Sequence, residues 1–569
     1  MIAVYIDGAL EKFSYEIHYT FDFIFKTLGY EHKYISKLDQ FQANDILVYY
    51  GLIEPTSKEA YILALDKIFF FIPCEIDLLQ PGKLTAQELQ EYSRTIRLDK
   101  IIPILSKTDF QNPIVYFINE VLYYGSFKVD LIGNTFFHLV NYQKFTPGLE
   151  KNEFQIPDEE MIFCDHALIP YVNYYLWILE QSILEAVNSK RDNFLVKKEL
   201  WPNAQPGAVA LSHNVYRLQK WSFKRMMKSV WEEILQFYNI KFVFKNILSK
   251  LKFIITNLEE YWNFDLISKL EEKYEVKSTY FWGTTNGKTA DFDYNINNSD
   301  VQKQISEIID KGNEVALFAT SNSYNNDNFQ RQKNHIVQMT LREKVGVRLK
   351  DYKSDPYQTN ELKLKQSFAY DSSAKFHSIA GFSGGIGFPY HLMVPQNNSG
   401  TKVFANNNNL EIPIICSEES FLLSKTNKIS YEDAREIIEK IFDSIKMVNG
   451  MITLDFSIHN FTELEYAEKL LEDVLIKIKA SPHYTNTYLS IADWWKKRER
   501  IEIREKRTSI ELYFPERIDQ FSFSVKGNKT ISHLDQEKYQ INDGIVTVSN
   551  IKADTTIRVF LNKPPKQTQ

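Results

Sequence analysis

The stretch "GAVALSHNVYRL" (207–218) decides how the rest of this chain is read. A short apolar run at 209–211 stops on Ser212, His213 and Asn214, and Tyr216 follows. Short apolar runs bounded by Gly and polar residues are strand signals. Barrels of alternating strands and helices carry their chemistry at such C-terminal strand ends. An ordinary strand end has the same look, so the meaning depends on the neighbouring segments.

From 207 to about 500 strand-like runs recur: "AVALS" (208–212), "KSTYFWG" (277–283), "EVALFA" (314–319), "VGVRL" (345–349), "FAYDSS" (368–373), "LEIPIIC" (410–416) and "MITLDF" (451–456). Amphipathic runs at 299–312 and 430–450 lie between them, the second opening on a Ser430 cap and closing on a glycine. This alternation predicts a (β/α) barrel over 207–506. Residues 1–150 read as an N-terminal α/β domain, with strands at 2–6, 46–51 and 67–73 and a helix ending at Gly29. Residues 151–206 read as a helical linker built on 167–189. Residues 507–569 read as a small β module with a loose tail, "KPPKQTQ".

At 569 residues the chain exceeds one core, and its 44% hydrophobic content argues against disorder. A net charge of −6, with no basic domain, argues against a nucleic-acid partner. Cys74, Cys164 and Cys416 form no metal-knuckle or CxxC spacing and read as buried small side chains in a reducing compartment. The first residues lack a basic leader, and no apolar run reaches the roughly 18–20 residues of a membrane span. A soluble cytoplasmic protein with no membrane span is expected.

The order of the strand ends resembles the polysaccharide deacetylases, the NodB-homology group of carbohydrate esterase family four. It is most similar to a long bacterial subgroup with an extra N-terminal α/β domain. "DLIGNTFFHLVNYQKF" (130–145) and "LIPYVNYYLWIL" (168–179) resemble that subgroup's first two stretches. "STYFWGTTNGKTADFDYNI", "GNEVALFATSNSYNN", "GVRLKDY", "YDSS", "GFSGGIGFPY" and "LEIPI" follow in family order. The resemblance implies a deacetylase-like distorted (β/α) barrel. In working members it implies a divalent metal, usually zinc, held by an acid and histidines, with a second acid as base.

This chain departs from that pattern at the centre. The two acid positions of the first motif hold Asn214 and Tyr216; the ligand histidine aligns with Phe318, and a second with Asn322. Asparagine is no general base and phenylalanine has no lone pair to give a metal. The family's barrel arginine is Ser383, whereas Arg348 and Asp371 keep the pattern. Strict spacing puts Ser457 at the last motif; a slip of two residues puts His459 there.

The expected function is therefore a catalytically inactive deacetylase-like protein that binds a glycan or partner protein in surface-polysaccharide metabolism. The alternatives are a divergent hydrolase of N-acylated sugars, with zinc, and a structural assembly component. The degenerate catalytic positions are His213, Asn214, Tyr216, Arg348, Asp371 and His459. Phe318, Asn322, Tyr324, Trp282 and Tyr390 are the candidate substrate-binding residues, and an aromatic-lined strand-end pocket is expected where a metal would sit. Other features carry plainer readings. "GTTNGKT" (283–289) lacks the Walker spacing. Asp291 and Asp293 suit a polar loop, His335, His377 and His391 are scattered, and "ADWWKKRERIEIREKR" (492–507) reads as a solvated helix.

Overall fold

The computed structural model describes residues 1–41, 45–64, 67–118, 122–146, 157–190, 193–221, 226–227, 229, 240–256, 259–285, 289, 291–320, 326–350, 356–393, 409–422, 429–506, 509–536 and 538–562. Asn322, Tyr324, part of the "GTTNGKT" loop and the terminal "KPPKQTQ" lie outside them.

The chain is mixed α/β. Near the N-terminus a six-stranded sheet runs in the order His32–Ile35, Ile2–Ile6, Ile46–Gly51, Ile68–Pro73, Tyr123–Phe127, Ile114–Ile118, parallel except for the last strand. The helix Ser14–Leu28 covers it and ends on Gly29 in the left-handed region, φ 88°.

The middle segment builds a parallel half-barrel sheet in the order Val347–Leu349, Glu314–Ala319, Ser278–Trp282, Ala208–Val215, Met451–Asp455, Cys416–Ser417, with Tyr484–Thr485 also on the central strand. All eight residues of Ala208–Val215 are buried, as expected where a parallel sheet is covered on both faces. Two expected strands are shorter than the sequence suggests. "FAYDSS" contributes a bridge at Asp371 alone, and "LEIPIIC" splits into Leu410–Glu411 and Cys416–Ser417. That split segment bonds to both ends of the sheet: the Ile412 N–H donates to the Asp371 carbonyl (2.8 Å), the Ile415 N–H to that of Thr453 (3.3 Å).

Three further differences concern helix ends and burial. The helix opening on Ser430 stops at Ser444, short of Gly450. The "helical linker" holds the helix Tyr171–Ser189 and then a strand, Phe194–Lys198, which pairs antiparallel with Ile518–Gly527 of the C-terminal module. Its alternation is too short to stand out beside a 19-residue helix. Finally, the helix Tyr488–Arg500 is not solvated: Trp494, Trp495 and Arg498 are buried. The C-terminal strands form two four-stranded sheets, and Phe194–Lys198 completes one of them. Cys74 and Cys416 are buried as expected, but Cys164 is only partly covered. Among the described residues no helix is long and apolar enough to cross a membrane.

Candidate functional site

The pleat of Ala208–Val215 sends alternate side chains to opposite faces. Ser212 and Asn214 point to the inner face and His213 to the outer one. There His213 is fully buried, with Nδ1 at 2.8 Å from the Phe456 carbonyl and Nε2 at 2.9 Å from Glu271, on the helix Phe264–Tyr274. The Tyr280 hydroxyl donates to the other Glu271 oxygen (3.0 Å). Trp282 shares this outer face, stacked on Phe264 at 5.5 Å. Neither residue joins the inner cluster.

The inner cluster is centred on Arg348. Its Nε donates to the Ser372 carbonyl (3.0 Å), Nη1 to Asn214 Oδ1 (2.8 Å) and Asp455 Oδ1 (2.6 Å), and Nη2 to Ser212 Oγ and Ser372 Oγ (both 3.1 Å). All five guanidinium N–H groups are thus used. The group lies 3.8 Å from the centroid of the Phe281 ring. Asp455 also accepts from Ser212 Oγ (2.7 Å) and from the Asn214 amide. Asn214 therefore serves as a two-way connector, donating to the carboxylate and accepting from the guanidinium. An aspartate there would lose the first bond and repel Asp455.

Tyr216 belongs to a neighbouring cluster. Its hydroxyl donates to Glu419 (2.7 Å), whose other oxygen faces the Lys375 ammonium at 3.3 Å. Lys375 and this hydrogen bond outweigh burial and hold the Glu419 carboxyl at about 2. Burial, then Glu419, pushes the Tyr216 phenol far above its usual range, so it is a neutral donor. His459 packs edge-on against Tyr216 at 4.6 Å, and Phe318 lies 6.1 Å from it. Ser457 N–H (2.6 Å) and the Asn460 amide (2.7 Å) both donate to Glu418. Asp371 stands apart, paired with the buried Lys363 and accepting from Ser373.

The donor set does not suit zinc. The inner amide oxygen is engaged by a cation, Phe318 offers no ligand atom, and His213 faces the other way. Among the described residues no group of three or more His, Cys, Asp or Glu is placed to hold a metal ion. The expected aromatic-lined pocket differs too. A cavity of about 110 Å³ borders the site on the side of Lys375, Ser373, Ser383 and Glu411, with Asn141, Lys144 and Asn360 around it. Among the described residues, Tyr390 is the one aromatic of those expected at the mouth that lines it. Three of the remaining polar residues are held by local partners: Asp293 accepts from the Leu218 N–H (2.7 Å), Asp291 meets Lys350 (3.1 Å), and His391 meets Glu499 (2.7 Å).

Asp455, Glu418, Glu419 and Lys375 were not anticipated from the sequence. Asp455 ends the strand "MITLDF", and a polar residue at that position is the signal the sequence carries for it.

Glu418 supplies a pH test. Burial, then Asp455 and Glu419, raises its carboxyl to about 8. A folded-state value above the unfolded one means that its stability contribution is complete below about 4.5 and is lost as pH rises through about 8. Glu418→Gln keeps an oxygen to accept both bonds and removes the ionisation. In denaturant titrations the variant is expected to gain on the parent by on the order of 3 kcal/mol between pH 5 and pH 9. An equal difference at both pH values refutes this.

No protein-family model matches the chain, and no curated protein matches its sequence. Among solved structures it is similar to a putative polysaccharide deacetylase from Mycobacterium smegmatis, at 13% identity and TM-score 0.35, covering 54% of this chain and 96% of that one. It is similar to Puue Allantoinase at 12% identity and TM-score 0.35, covering 52% and 93%. A probable polysaccharide deacetylase from Pseudomonas aeruginosa PAO1 gives 12% identity and TM-score 0.34, again covering 52% and 93%.

Proposed function

We propose that this chain is a deacetylase-like protein with a distorted (β/α) barrel that has exchanged hydrolysis for binding, with a glycan as its ligand. The observation that carries this is the saturated Arg348 guanidinium, bonded to Asn214, Asp455, Ser212 and Ser372 at the strand ends. A cation held there by a buried carboxylate competes with any metal, and neither Asn214 nor a neutral Tyr216 activates water. The adjoining cavity supports a glycan. Its Asn141 and Ser383 offer an amide and a hydroxyl that match sugar hydroxyls, and Tyr390 offers a ring face. Surface-polysaccharide metabolism is the setting implied by the sequence resemblance.

The test is metal analysis of the purified protein, with acetate release from N-acetylglucosamine oligomers measured with and without chelator, and calorimetric titration of the same oligomers. Substoichiometric zinc, no acetate release and saturable binding are expected. Stoichiometric zinc with chelator-sensitive release overturns the proposal in favour of a divergent hydrolase. Absence of both turnover and binding removes the glycan and leaves a partner protein or a structural role.

A further inference from the structure

Among the described residues, the helix Ile240–Thr256 carries an unusual run of exposed apolar side chains. Its 17 residues include Lys241, Lys245, Lys250 and Lys252 and no Asp or Glu. One side is anchored. Ser249 is buried, accepts the Trp221 indole N–H (2.6 Å) and donates to Glu260 (2.6 Å), and the Lys250 ammonium lies 5.2 Å from the Trp221 ring centroid.

The other side carries Ile240, Phe244, Ile247, Leu248, Leu251 and Ile254, which are 44–74% exposed. At about 100° per residue they fall within an arc of about 120°, centred about 160° from Ser249. Scattered exposed apolar residues need no explanation, but six large ones in a single stripe do. The stripe is held outward by a fixed polar contact on the far side, so it is a built feature of the folded chain.

Charge selects the occupant. A lysine-rich helix with a broad apolar face is the pattern that lies in the headgroup region of a bilayer, apolar side down. Four lysines without an acid in its sequence give the helix a positive charge that is attracted to anionic lipid. A second copy of the same stripe is disfavoured, because a two-fold pairing brings two acid-free cationic helices together. We propose that this helix docks the protein on an anionic lipid surface, without spanning it. The proposal is independent of any reading of the barrel.

The test is co-sedimentation of the full chain with vesicles of equal parts phosphatidylcholine and phosphatidylglycerol, against phosphatidylcholine alone, at moderate and at high salt. Binding to the anionic vesicles, weakened by salt, is expected. Leu248→Glu/Leu251→Glu, at exposed positions, is expected to lower it about tenfold or more with unchanged far-UV circular dichroism. Lys245→Gln/Lys252→Gln is expected to reduce the preference for the anionic lipid. Failure to bind anionic vesicles, or equal binding by the Leu248→Glu/Leu251→Glu variant, overturns the proposal. So does a lipid-free dimer that this variant converts to monomer, since a second copy then covers the stripe.

Discussion

Arg348→Ala is expected to cost about 3–5 kcal/mol of folding stability, the range for breaking a buried ion pair by removing one partner. The side chain is 2% exposed and Asp455 0% exposed, so the pair is desolvated in the folded protein. Truncation strands the Asp455 carboxylate on two neutral donors, Ser212 and Asn214, and leaves the Ser372 carbonyl and hydroxyl without their guanidinium partner. It also opens a void beside Phe281. Arg348→Met separates the two effects, since it fills the volume and keeps the charge defect. Adding Asp455→Asn to Arg348→Met neutralises the stranded carboxylate, and the double variant is expected to recover a substantial part of the loss. Chemical denaturation of the parent, Arg348→Met, Asp455→Asn and the double variant measures this coupling. Additive losses show that Arg348 and Asp455 act independently, and the account of the strand ends as one closed network then fails.

The same residues show what local sequence carries and what it does not. The alternation of apolar runs and amphipathic stretches is local information, and it located the strands Ala208–Val215, Ser278–Trp282, Glu314–Ala319 and Met451–Asp455 to within a few residues. Asn214 and Arg348 were marked in the sequence, but their contact spans 134 positions and no local pattern reports it. His213 misled because identity alone does not give the face. The one-residue offset from Asn214 turns it from the inner cluster to Glu271, where both ring nitrogens are engaged. Phe194–Lys198 was missed because its partner, Ile518–Gly527, lies more than three hundred residues later in the chain. The run "KKRER" reads as solvated because its composition is charged, and composition does not show which one of those cations turns inward.

That inward cation gives the second large effect. Arg498→Ala is expected to cost about 3–5 kcal/mol and to loosen the N-terminal sheet unit from the rest. Arg498 is 0% exposed, and its guanidinium donates only to carbonyls: Nε to Glu199 (2.8 Å), Nη1 to Lys26 (2.9 Å), Nη2 to Thr27 (2.9 Å) and Lys198 (3.1 Å). Lys26 and Thr27 end the helix Ser14–Leu28, where carbonyls have no partner within the helix and the dipole favours a cation. Lys198 and Glu199 close the strand that joins the C-terminal module. One side chain thus satisfies the ends of two elements from a third, the helix Tyr488–Arg500. Burial lowers its pKa to about 10, which still leaves it charged at neutral pH. Gly29 permits the approach: a Cβ there would meet the Lys198 carbonyl oxygen, and its φ is 88°. A lysine cannot reproduce a fork that reaches four carbonyls, so Arg498→Lys is expected to recover less than half of the loss. Denaturant titration gives the magnitude, and limited proteolysis gives the location. Cleavage is expected to rise first around residues 26–31 and 194–200. A variant that unfolds near the parent's midpoint, with an unchanged cleavage pattern, shows that the neighbouring backbone pairing holds the unit without this residue.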